Sequence, residues 1–78
     1  MNLTNDFSLK ENDHIKLVIY DITGRLVRTL LSGYYARDHY SIVWNSKDNS
    51  GVKVNSGIYI YQLQTSNVVL TKKMALIK

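Results

Sequence analysis

Ser56-Gly57-Ile58-Tyr59-Ile60-Tyr61-Gln62-Leu63-Gln64 is the stretch that decides the fold class. In an extended chain alternate side chains share a face, so Tyr59, Tyr61 and Leu63 point one way and Ile58, Ile60 and Gln62 the other. β-branched and aromatic residues suit a pleated, half-buried surface, and bulk on both faces suits a central strand. The three residues of the first face are expected to be interior. Outward from this run the chain reads as further strands separated by turns. Upstream, His14-Ile15-Lys16-Leu17-Val18-Ile19-Tyr20 alternates strictly, with Ile15, Leu17 and Ile19 on one face. Asp21-Ile22-Thr23-Gly24 is a turn, and residues 25–31 return as its hairpin partner. Ser32-Gly33 is expected to end that strand, with residues 34–38 as a loop.

His39-Tyr40-Ser41-Ile42-Val43-Trp44 places Tyr40, Ile42 and Trp44 on one face. Residues 45–51 are seven polar or small residues in a row and therefore a loop, followed by a stub of strand at residues 52–54. Ser66-Asn67 forms the last hairpin turn, and residues 68–77 close the sheet with Leu70, Met74 and Leu76 on one face. Phe7 and Leu9, two apart, mark a short first strand. Nothing shows apolar residues at helical spacing with capping signals, so no helix is expected. Strands every 8–12 residues with Gly, Asn, Asp and Ser turns predict an antiparallel β-sandwich of six or seven strands, with residues 1–78 as one all-β domain.

The totals narrow the functional classes. Seventy-eight residues lie near the lower size limit for a self-sufficient core, and cysteine is absent, so neither a disulfide nor a thiolate zinc site can form. The formal charge of +4 is scattered along the chain, whereas nucleic-acid binding needs a basic stripe on one face. Nucleic acid is accordingly not an expected partner. No apolar run approaches the ~18 residues of a membrane span, and no basic-then-apolar leader precedes the first strand.

The order of several segments carries more than composition does. Ile19-Tyr20-Asp21-Ile22-Thr23-Gly24-Arg25-Leu26-Val27, followed by Leu30 and Gly33, resembles an "IYDxxGRxV…L…G" hairpin. Residues 39–51 are similar to "HxxxWDGxDxxG", residues 56–63 to "SGxYxYxL", and residues 72–78 to "KKMxLIK". Together they resemble the immunoglobulin-like C-terminal sorting domains of the type IX secretion system, relatives of the immunoglobulin-like domain of the flagellar hook-capping protein. The resemblance implies an immunoglobulin-like sandwich at the end of a larger exported bacterial protein. Such a module passes through the periplasm to the cell surface or medium, and the outer-membrane secretion machinery reads it. Structural assembly of the hook-capping kind, or accessory carbohydrate binding or adhesion, are the alternatives. Asn45 and Ser46 stand where Asp-Gly is usual in the family, which bears on the turn. The family's upstream strand is missing, so an exposed edge and strand-mediated pairing of two copies are expected.

Candidate site residues follow, each beside a plainer role. Lys72, Lys73 and Lys78 form a basic tail that resembles the recognition element of a sorting signal. Lysine on an edge strand equally guards against edge-to-edge aggregation. Tyr34 and Tyr35, adjacent in an expected loop, are the aromatics most suited to an exposed binding platform; Tyr59, Tyr61 and Trp44 belong to the core. Residues 45–56 do not make a calcium loop: Lys47 falls at the third position, Ser50 at the sixth and Ser56 at the twelfth, where oxygen ligands, glycine and an acid are needed. His14 and His39 are the only histidines, and no nucleophile motif accompanies either. No catalytic residue, metal ligand or cofactor site is expected.

Overall fold

A computed structural model describes residues 2–77. Six strands form it: β1 (Leu3–Ser8), β2 (Asp13–Asp21), β3 (Leu26–Tyr35), β4 (His39–Trp44), β5 (Gly57–Gln64) and β6 (Val69–Leu76), with no helix among the described residues. They make two antiparallel sheets, β1-β4 and β3-β2-β5-β6. The sequence reading of an all-β sandwich holds, and β5 is central as expected, paired with β2 on one side and β6 on the other.

The alternating faces appear where the sequence places them. Ile15, Leu17 and Ile19 are buried on the inner face of β2, and Trp44 is wholly buried on β4. Trp44 packs edge-on to Tyr59 at 5.2 Å between ring centroids, joining Ile19, Val27 and Leu76 in one core cluster. Leu9, Ile15, Leu17 and Leu63 form a second, with Tyr61 and Leu30 packed against both.

Three expectations are corrected. Tyr61 is only half-buried, because it lies opposite Lys72 on edge strand β6, where the short facing sheet provides little cover. Strand β3 does not end at Ser32-Gly33 but runs on to Tyr35, with Gly33 opposite Ile15. Gly33 has φ +153°, at the margin of what a side chain tolerates, and lets the strand pass through. Residues 52–54 form a single bridge, Lys47 to Lys53, and not a strand. Strand β3 also carries two register shifts against β2, which insert Val27 and Leu30 as extra residues; both reach the core.

The β2–β3 turn is held by one carboxylate. Asp21 Oδ1 accepts from the backbone N–H of Thr23 (2.9 Å) and Arg25 (3.0 Å) and from the Thr23 hydroxyl (2.6 Å). The Thr23 hydroxyl above all, with the two backbone donors, holds the Asp21 carboxyl below its usual range. A lowered folded-state pKa contributes stability above the unfolded value, lost as pH falls through the folded one. Thermal midpoints taken from about pH 6 down to about pH 2 should therefore drop more steeply in the wild type than in Asp21→Asn, which cannot titrate. Superimposable profiles would show that this turn does not sense pH.

Candidate interaction surface

The residues singled out from the sequence do not converge. Lys72 lies opposite Tyr61 and Lys73 opposite Ile60, so the two project from opposite faces of β6. Both are exposed, and Lys78 lies outside the described residues. Tyr34 and Tyr35, expected in a loop, are the last two residues of β3 and likewise face opposite ways. Tyr34 is 61% exposed and meets His14 edge-on, whereas Tyr35 turns inward against Tyr40 at 5.8 Å. Strand alternation thus rules out a flat two-ring platform at this pair.

Loop residues 45–51 are tied down by their own side chains. Asp48 Oδ1 accepts from Ser50 N (2.9 Å) and Val52 N (3.0 Å), and Ser46 takes φ +65°, the left-handed conformation glycine favours. The loop docks on the outer edge of β3: Asn49 N–H donates to the Val27 carbonyl, Thr29 N–H to Asn49 Oδ1, and Arg28 to the Lys47 and Asp48 carbonyls. That side of the sandwich is closed. His39 Nδ1 contacts the Ser8 hydroxyl, but Asp38 accepts from the backbone N–H of His39 and not from its ring. This is a strand-end contact and not a nucleophile–base–carboxylate relay. Among the described residues no three His, Asp or Glu side chains gather as a metal site.

The opposite side of the sandwich is open. Leu70, Lys72 and Met74 lie on the inner face of β6, yet Leu70 is 56% exposed. A groove of about 330 Å³ runs between the end of β1 and the β5–β6 hairpin, walled by Leu9, Leu63, Val68 and Leu70. At one end Asp13 Oδ2 accepts from the backbone N–H (3.2 Å) and hydroxyl (2.9 Å) of Ser66, tying the hairpin to β2. Sequence reasoning did not find this surface, because it exists only where a two-stranded sheet faces a four-stranded one.

Asn5 was also missed, although a signal was present: it takes an inward position between Leu3 and Phe7. It is 1% exposed, its amide donates weakly to the Ile42 carbonyl at 3.4 Å, and its Oδ1 has no hydrogen-bond partner. A buried acceptor left unpaired costs ~1–3 kcal/mol. Asn5→Leu should accordingly raise stability by about 1 kcal/mol in denaturant melts, the gain in burial being offset by loss of the weak bond. A loss of stability would mean that Asn5 is satisfied in solution.

Two facing antiparallel sheets define a β-sandwich, the architecture of immunoglobulin-like domains. The chain belongs to the FlgD Ig-like domain family, which matches residues 2–68. Among solved structures it resembles FlgD from P. aeruginosa, with a TM-score of 0.74 and 25% identity over 96% of this chain. It spans 58% of that chain. No curated protein sequence matches it. These matches support the hook-capping side of the sequence resemblance, and neither is to a type IX sorting domain.

Proposed function

We propose that the domain is a non-catalytic assembly module of the hook-capping kind, packing against neighbouring subunits in an exported surface structure. The observation that carries this reading is family membership over residues 2–68, together with a sandwich left open along one side. Surface appendages sheared from native cells and purified should contain the protein. Its recovery only as free secreted protein, or only inside the cell, would overturn the reading.

A second reading, a handle for the outer-membrane secretion machinery, is motivated by the sequence resemblance of residues 72–78 alone. Strand β6, which carries the "KKMxLIK" resemblance, begins at Val69, just past the matched residues. Lys72 and Lys73 are exposed on that strand and available to a partner. A periplasmic reporter fused to the domain, in a host with that machinery, should be released less when Lys72→Gln and Lys73→Gln are combined. Unchanged release from a folded double variant would remove this reading.

A further inference from the structure

The open side has a definite shape. Among the described residues strand β1 pairs with β4 along one edge only, so its alternate N–H and C=O groups face outward along the other. The loop bound to β3 places β4 on the β3 side of the sandwich, while the groove brings the end of β1 beside the β5–β6 hairpin. The free edge of β1 therefore looks over the inner face of β6. A strand laid along that edge would cover Leu70, Lys72 and Met74, which stand two residues apart.

We propose that this edge takes an extended segment of a different polypeptide, about six residues long, in which an acidic side chain is flanked two positions away on each side by apolar ones. Outward backbone groups of β1 supply hydrogen bonds without regard to sequence, and the face beneath supplies selectivity. Leu70 and Met74 favour apolar partners. Lys72, drawn out of water between them, needs a carboxylate. The reading rests on the assembly role and names the chemistry of the partner.

A second copy does not offer that pattern on its edge strands. On β1, β3, β4 and β6, the strands with an edge outside the sheets, the single acidic residue is Asp6. Its neighbours two positions away are Thr4 and Ser8, both polar. Strand β6 itself offers two lysines, which repel their counterparts. None of these edges supplies an apolar–acidic–apolar face.

The test uses two nine-residue peptides, Ser-Thr-Val-Thr-Glu-Thr-Val-Thr-Ser and the same sequence with lysine at its centre. Titrated into the ¹⁵N-labelled domain, the glutamate peptide should shift alternate β1 amides and slow their hydrogen exchange. Lys72→Glu should weaken that peptide on the order of tenfold and strengthen the lysine peptide to a similar degree, as expected for a desolvated charge pair. Because Lys72 is exposed, the variant should keep the wild-type melting curve. Binding indifferent to the charge swap, shifts confined to β3 or β4, or no binding would overturn the proposal. So would a concentration-dependent dimer that closes the β1 edge, seen by sedimentation, or a longer natural chain in which a segment preceding residue 1 already protects the same β1 amides from exchange. Any of these failures leaves appendage co-purification standing, so the edge proposal and the assembly reading fail separately.

Discussion

Trp44→Ala is expected to lower stability by about 3–5 kcal/mol, the cost of emptying a large aromatic site in a core. The indole is wholly buried, touches Tyr59 edge-on, and shares a cluster with Ile19, Val27 and Leu76. Its Nε1–H also donates to the Lys47 carbonyl at 2.9 Å, pinning the loop that closes the β3 side of the sandwich. The loss therefore combines a cavity with a loosened loop. A domain of this size holds only ~4–12 kcal/mol in total, so the variant should be largely unfolded or unfold at low denaturant. Guanidinium melts with an unchanged midpoint would show that Trp44 is not the centre of this core. Trp44→Phe should recover much of the loss and separate the packing contribution from that of the indole N–H.

Leu76→Ala is expected to cost about 2–5 kcal/mol, although the residue is the last of edge strand β6. Leu76 is 1% exposed, pairs opposite Gly57 and packs into the cluster that holds Trp44 and Tyr59. Urea melts of Leu76→Ala set against Lys73→Ala make the contrast: Lys73 is exposed and its loss should fall within ~0.5 kcal/mol. Equal effects would mean that β6 is frayed. The contrast bears on any study of the basic tail. Removing residues 72–78 removes Met74 and Leu76 along with the lysines, so lost export would report an unfolded domain. Substituting the lysines alone leaves the core intact.

Much of the fold was legible because alternation is a local property. The inward faces of β2 and β4 could be assigned from Ile15, Leu17 and Ile19 and from Tyr40, Ile42 and Trp44 without knowing any partner. The turn at residues 21–24 was equally readable, since one short-range acceptor, Asp21, organises it. Tyr34 and Tyr35 were misplaced because Ser32-Gly33 carries the composition of a break. Pairing of β3 with nine-residue β2 sustains the strand regardless. The bulges of β3 were invisible for a related reason: register is a property of two strands, and neither Val27 nor Leu30 announces it.

The candidate site was less legible than the fold. Lysines 72 and 73 were correctly placed on the last strand, but the reading of a shared basic tail overlooked the alternation that separates them. The groove beside Leu70 could not be read at all.

The sequence by itself determined most of the strands, the apolar faces of β2 and β4 and the turn at residues 21–24, because backbone stereochemistry and side-chain alternation act over a few residues. Only the tertiary structure decided that two strands face four, that Tyr61 stays half-exposed, and that β1 and β6 border an open side. Those outcomes depend on contacts between residues far apart in the chain, such as Asp13 with Ser66 and Thr29 with Asn49, and no local pattern encodes which distant edges meet.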